Sequence, residues 1–129
     1  MPTTAELWKF ILWGYVASVV LETPVLLLGL SQRHSWGRRL LAGVWLTACT
    51  YPIVVLVLPI LVWQPYGEAL YLIIAETFAP LAECALFYAA FLHGAGFTRW
   101  ELARDFTAIV VANLVSFGTG VAVHYFGWI

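Results

Sequence analysis

Four long apolar stretches alternate with short polar segments along the 129-residue chain. The stretches cover about residues 7–30, 40–62, 69–92 and 106–126. Each is close to the ~20 residues that a helix needs to cross a hydrocarbon core of ~30 Å. Because a chain inside a bilayer must satisfy its own backbone hydrogen bonds, we predict four transmembrane helices.

The composition supports a membrane protein with one domain, residues 1–129. Hydrophobic residues make up 63% of the chain and charged residues 10%, whereas soluble domains are ~45–50% apolar and ~25% charged. The N-terminus lacks the basic region of a signal peptide, so we interpret the first stretch as a retained helix. The predicted class is an all-α, polytopic bundle surrounded by the lipid bilayer. The net charge of -1 gives no indication of a nucleic-acid partner.

The basic residues predict the orientation. Arg33, Arg38 and Arg39 fall between the first two stretches, and Arg99 and Arg104 between the last two. By the positive-inside rule, loops 31–39 and 93–105 are cytoplasmic and both termini are outside, in what we take to be a bacterial inner membrane. Tryptophans fall near both predicted interfaces, at the outer side Trp8, Trp63 and Trp128 and at the inner side Trp36 and Trp100.

A weak internal similarity suggests two parallel helical-hairpin repeats. Each half has an acid on its first helix, a basic turn, and two polar residues at i and i+3 on its second helix. The matched pairs are Glu22 with Glu83, Arg38 with Arg104, Thr47 with Asn113, Thr50 with Ser116 and Pro52 with Gly118. Chance similarity between apolar helices is the alternative explanation.

Three of the seven acidic residues lie inside the predicted spans: Glu22, Glu76 and Glu83. An ionised carboxylate at membrane depth costs several kcal/mol unless it is compensated. No lysine or arginine lies deep within the spans. Each acid must therefore be protonated, hydrogen-bonded, hydrated in a cavity or bound to a cation. Glu22 and Glu83 are predicted nearer the middle of the membrane, and Glu76 nearer the outside.

Other polar groups are predicted at a similar depth. These are Thr47, Thr50 and Tyr51 on the second helix, with Asn113 and Ser116 on the fourth. Prolines 24, 52 and 80 lie within spans and free backbone carbonyls one turn back. Carboxylate, hydroxyl, amide and carbonyl oxygens suit a proton or a hard cation, not a soft metal.

Small residues recur every four positions beside the acids. Gly14 and Ser18 precede Glu22, and Ala75 and Ala79 precede Glu83; on the fourth helix the series is Ala108, Ala112, Ser116 and Gly120. Such stripes let membrane helices approach closely. We therefore expect the acids to face other helices, not lipid.

The remaining reactive residues do not indicate an enzyme. Cys49 and Cys84 lie in apolar segments and are interpreted as small buried residues. His34 and His93 fall in predicted turns, a poor position for axial haem ligands. No nucleophile–base pair or cofactor motif is visible, so we predict a non-enzymatic protein without a cofactor.

The leading functional hypothesis is a small proton or cation transporter or channel-like protein. Its predicted site comprises Glu22, Glu76, Glu83, Thr47, Thr50, Asn113 and Ser116. Because four short helices enclose little space, we expect a homo-oligomer or a complex with other membrane subunits. The alternative is a non-catalytic accessory subunit or assembly factor, in which the acids are interhelical hydrogen-bonding groups worth about 0.6–2 kcal/mol each.

Overall fold

The computed structural model describes residues 3–94 and 96–125, which form four helices. We number them α1, Thr4–Gly29; α2, Trp36–Tyr66; α3, Glu68–Leu92; and α4, Arg99–Tyr125. All four contain segments long and apolar enough to cross a membrane, and the described residues include no strand. The predicted all-α class with four membrane-crossing helices is therefore confirmed. The predicted helix end at Phe126 and the interfacial Trp128 lie outside the described residues.

The helices form a closed ring in which sequence neighbours pack together and α4 packs back against α1. The loop between α1 and α2 and the loop between α3 and α4 lie at the same end of the bundle. We call this the arginine end, because it carries Arg33, Arg38, Arg39, Arg99 and Arg104. The two-hairpin repeat stays a prediction.

At the arginine end, α2 and α4 begin earlier than the apolar stretches suggest. The side chain of Ser35 caps α2 by accepting the backbone N–H of Arg38 at 3.1 Å. At the start of α4, Thr98 and Glu101 each accept the other's backbone N–H through their side chains, at 3.1 and 2.9 Å. This reciprocal pair is a capping box. The caps place Arg38 and Arg104, expected in loops 31–39 and 93–105, inside helices.

Close helix contacts occur where side chains are small. A Cβ added at Gly29 of α1 would lie 3.0 Å from the Cβ of Ala108 on α4, and one added at Gly43 of α2 would lie 3.2 Å from the Cα of Thr23. Deeper in the bundle, the hydroxyls of Ser18 and Ser116 are 3.5 Å apart. The α1–α4 contact thus uses members of the predicted small-residue stripes.

Polar and apolar side chains alternate in layers along the bundle. One layer contains Glu22 of α1, Thr50 of α2, Glu83 of α3 and Asn113 of α4. One helical turn closer to the arginine end, each helix contributes a large buried apolar residue: Leu26, Leu46, Phe87 and Ile109. We call these four residues the apolar layer. Since helix residues four apart lie on the same face, the layers follow directly from the sequence spacing.

The half of α2 that lies away from the arginine end departs from regular α-helix. Its α-helical part, Trp36–Pro52, is followed by two π-helical turns, Ile53–Val57 and Pro59–Trp63. In the first, the N–H of Leu58 donates five residues back to the carbonyl of Ile53. Pro59 has no N–H, so the carbonyl of Val54 lacks the next donor in this register. The hydroxyl of Tyr71 on α3 supplies it at 2.7 Å.

α3 also changes register near one end. It is α-helical over Glu68–Phe87 and finishes with a π-helical turn, Tyr88–Leu92. The regular part contains Pro80 and both of its predicted site residues, Glu76 and Glu83.

Candidate functional site

The three intramembrane acids come together inside the bundle. Glu22 on α1 and Glu83 on α3 are 6% and 3% exposed, and Glu76 is half-buried. Glu22 is close enough to both Glu83 and Glu76 for their charges to interact. Two of the acids therefore point toward other helices, as the small-residue stripes indicate, and the third is partly accessible.

Glu22 and Glu83 lie next to different polar residues of α4. Ser116 is near the side chain of Glu22, and Asn113 is near that of Glu83. The side-chain amide of Asn113 donates to the carbonyl of Ile109 at 2.9 Å. Glu83 and Asn113 lie at the same level, next to the apolar layer. Ser116 lies about one turn further from the arginine end, on the face of α4 that meets Ser18 of α1.

A cavity of about 100 Å³ lies beside Glu22. Five of the seven predicted site residues line it: Glu22, Thr47, Thr50, Asn113 and Ser116. Ser18, Tyr51, Val54 and Ala79 complete the lining, so every helix contributes. A polar space of this volume is large enough for a few water molecules. Glu83 and Glu76 are not among its lining residues; Glu83 adjoins it through Asn113.

The two threonines use their hydroxyl hydrogens within α2. Thr47 donates to the carbonyl of Gly43 at 2.8 Å, and Thr50 to that of Leu46 at 3.1 Å. Both side chains are nevertheless buried at the cavity wall. Since a hydroxyl oxygen keeps acceptor capacity while it donates, they present oxygen acceptors to the cavity.

One carboxyl oxygen of Glu83 is buried without a hydrogen-bonding partner among the described residues. Leaving such a group unpaired costs roughly 1–3 kcal/mol, and more when it is charged. Glu22, Glu76 and Glu83 also lie together in a low-dielectric region. The ion pairs of the described residues, Arg33–Glu101 and His34–Asp105, do not include them. The three acids can all be ionised only if a bound cation compensates their charge; otherwise a proton must neutralise at least one of them.

A second polar cluster, which the sequence did not reveal, lies at the arginine end. The carboxylate of Asp105 on α4 contacts Nε2 of His34 at 2.8 Å and accepts the backbone N–H of Ser31 at 2.7 Å. Both side chains of the His34–Asp105 pair are fully buried. Nδ1 of His34 is 3.4 Å from a guanidinium nitrogen of Arg38. Because guanidinium only donates, we assign the ring hydrogen to Nε2, which donates it to Asp105.

Arg39 completes this cluster by holding the end of α1. Its side chain is 7% exposed and donates to the carbonyls of Leu27, Ser31 and His34. Leu27 lies in the last turn of α1, where carbonyls have no intrahelical partner, and Ser31 and His34 lie in the loop that follows. In the sequence, Arg39 served only to predict the orientation of the helices. The burial of Asp105 could have been predicted from its spacing, because it lies one turn before Ile109 on the same face of α4.

The remaining candidates are placed as follows. Cys49 and Cys84 are free, half-buried thiols on different helices. His93 is exposed, and His124 belongs to the helical residues whose side chains are not described. Within the described ranges, no group of three or more histidine, cysteine or acidic residues is placed to hold a metal ion.

No protein-family model, curated protein or solved structure matches this chain.

Proposed function

We propose that the protein moves a proton or a small cation across the membrane, with Glu22, Glu76 and Glu83 as the binding groups. The observation that carries this proposal is that Glu22 lines a polar cavity and interacts electrostatically with Glu83 and Glu76, while no ion pair of the described residues includes any of the three acids. Buried acids at membrane depth mark ion pathways and proton relays in pumps and transporters. A proton needs only one carboxyl oxygen, so it fits the site more simply than a metal that requires several ligands.

The position of each acid assigns it a role. Glu76 is half-buried and lies two helical turns further from the arginine end than Glu83, about 10 Å along α3. It exchanges protons or cations with the outer side. Glu22 and Glu83 receive them beside the cavity, where Thr47, Thr50, Asn113 and Ser116 supply hydrogen bonds. The apolar layer separates these groups from the arginine end and must open to complete transport.

The test is flux through proteoliposomes that contain a pH-sensitive dye, under an imposed pH gradient or membrane potential. Glu22→Gln, Glu76→Gln and Glu83→Gln are each expected to abolish the dye response, because an amide cannot carry the proton. Glu68→Gln is the matched control, since Glu68 is exposed in the first turn of α3. It should leave flux unchanged. Wild-type flux no greater than that of empty vesicles, or full flux in Glu76→Gln and Glu83→Gln, would contradict the proposal.

A second candidate function is an accessory subunit of a larger membrane complex. It is favoured by the placement of Glu22 next to Ser116 and of Glu83 next to Asn113, both on α4. Such pairs can fix helix packing without any transported species. Under this hypothesis, mild-detergent purification from the native membrane yields a stoichiometric partner subunit. Purification as a single species, together with dye flux, would reject it.

A further inference from the structure

Two adjoining surface cavities lie between α1 and α4 at the arginine end, apart from the three acids. The larger, about 410 Å³, is an apolar groove that includes Val25, Ala108 and Val111. The smaller, about 240 Å³, is a polar pocket that includes Ser31, Gln32 and Arg33. Trp100 and Arg104 line both, so groove and pocket are continuous.

The polar pocket contains donors that no described residue satisfies. Ser31 is only 3% exposed, and its hydroxyl has no hydrogen-bonding partner. The same is true of Nε of Arg33. Unpaired buried polar atoms of this kind are uncommon because they cost free energy. Two of them in one pocket indicate a missing acceptor.

The charge of the pocket indicates what that acceptor is. Arg33 and Arg104 line it together with one acid, Glu101, so the lining carries one net positive charge. Glu101 contacts only one terminal nitrogen of Arg33: its carboxylate oxygen lies 3.6 Å from Nη1. The same nitrogen donates to the carbonyl of Gly96 at 2.7 Å. Arg104 crosses toward α1 and donates through Nε to the carbonyl of Gly29 at 2.9 Å. Arginine and hydroxyl donors around an acceptor are the usual surroundings of a phosphate.

The groove indicates that the phosphate carries a hydrocarbon chain. It runs along α4 from Arg104 to Val111, about 10 Å at 1.5 Å per residue. Val25 and the buried Ala108 form its floor, and Val111 is exposed on the outer surface of the bundle. Trp100, which is 85% exposed, lies where the groove meets the pocket. Exposed tryptophan is typical of the level of lipid headgroups.

We infer that this composite site binds an anionic phospholipid, with its phosphate in the polar pocket and an acyl chain in the apolar groove. The net positive lining favours an anionic headgroup over a zwitterionic one. The inference does not depend on the proposed transport function, because the lipid site and the acids share no residue.

The test is native mass spectrometry of the delipidated full-length protein in detergent. The probes are dioleoylphosphatidylglycerol, dioleoylphosphatidylcholine with the same chains, and glycerol 3-phosphate as a chain-free phosphate. We expect the anionic lipid to bind about tenfold or more tightly than the zwitterionic lipid, and glycerol 3-phosphate to bind most weakly. Equal binding of the two lipids overturns the proposal. Binding of glycerol 3-phosphate as tightly as phosphatidylglycerol shows a phosphate site alone and also overturns it.

Three variants test the named residues. Ser31→Ala removes only the unpartnered hydroxyl, so it should weaken phosphatidylglycerol about tenfold without lowering the melting temperature of the lipid-free protein. Val111→Trp fills the groove, so it should weaken the lipid but not glycerol 3-phosphate. Arg99→Gln is the control; it removes a positive charge at the same end but outside both cavities. Undiminished lipid binding by Ser31→Ala and Val111→Trp, or equal weakening by Arg99→Gln, would contradict the assignment.

Discussion

Asp105 is the only aspartate of the chain, and its carboxylate joins α4 to the loop that follows α1. One oxygen accepts the N–H of Ser31 and the other contacts His34, while the ring of Phe87 packs edge-on against the imidazole with centroids 5.1 Å apart. Both partners are fully buried. Hydrogen bonds to a charged group contribute roughly 1.5–3 kcal/mol each, so this residue is a main determinant of how the arginine end is held together.

We predict that Asp105→Asn lowers the free energy of unfolding by about 2–4 kcal/mol, because the amide nitrogen cannot accept the hydrogen of Nε2. The measurement is reversible unfolding in mixed micelles, followed by circular dichroism. His34→Gln and the double variant complete a thermodynamic cycle, and the double variant should lose less than the sum of the two single losses. Glu68→Gln, at an exposed position, is the control. Additive losses in the cycle would show that the contact does not stabilise the protein.

Residues of the two polar clusters differ in how visible they are in the sequence. Glu22, Thr50, Glu83 and Asn113 stand out as polar positions inside apolar stretches, and their depth follows from counting residues. His34 and Asp105 lie in polar segments, where one more polar residue is unremarkable. They are 71 positions apart, and no local pattern reports a contact over that distance. The sequence also does not show which residue of α4 lies next to Glu22 or Glu83, because this depends on the depths at which α1, α3 and α4 pack.

Among the helices, α2 is the one that joins a regular α-helical part to two π-helical turns. The α-helical part carries Thr47 and Thr50 at the cavity, and the two π-helical turns begin just beyond Pro52 and end at Trp63. Proline removes backbone donors, so a register change there has an identifiable cause. From the sequence we predicted that Pro24, Pro52 and Pro80 each leave a backbone carbonyl one turn earlier without its N–H donor. The sequence did not predict the π-helical turns or the contact that the Val54 carbonyl makes with α3.

We predict that Tyr71→Phe lowers the free energy of unfolding by about 1–2 kcal/mol, because the Val54 carbonyl loses its donor within an apolar environment. The stacked contact of this ring with Trp63, at 5.1 Å between centroids, is kept by phenylalanine. In a Pro59→Ala background, the N–H of residue 59 can donate to the carbonyl of Val54. Tyr71→Phe should then lower the free energy of unfolding by less. The measurement is unfolding in mixed micelles, and Tyr66→Phe, on a 71% exposed side chain, is the control. An equal cost in both backgrounds would contradict the account.

For the molecule as a whole, the ring of four helices encloses a stack of layers along the axis of the bundle. Toward the arginine end, the polar layer that contains Glu22 and Glu83 is followed by the apolar layer and then by the buried cluster around His34 and Asp105. All-α class and helix number were predictable because bilayer thickness dictates segment length. The alternation of layers was also implicit in the four-residue spacings. The cavity beside Glu22 is formed within a single chain, whereas the expected oligomer stays a prediction.

The orientation of the bundle is open to a direct labelling experiment. The positive-inside rule predicts that the arginine end is cytoplasmic and that the turn between α2 and α3 is outside. In a background without Cys49 and Cys84, Gln32→Cys should react with an impermeant maleimide only after the membrane is opened. Gln64→Cys should react in intact cells. Both positions are exposed. Labelling with the opposite sidedness, or of both sites from one side, would contradict the prediction.

More of the described hydrogen bonds between helices and loops lie at the arginine end than in the rest of the bundle. At the arginine end, Asp105 and Arg104 tie α4 to α1 and its following loop, Arg33 reaches Gly96, and Arg39 fastens the end of α1. If the helices tilt relative to one another, we expect this end to move least and the opposite end to move most. Such a tilt would widen the bundle around Glu76 and leave the His34–Asp105 contact closed.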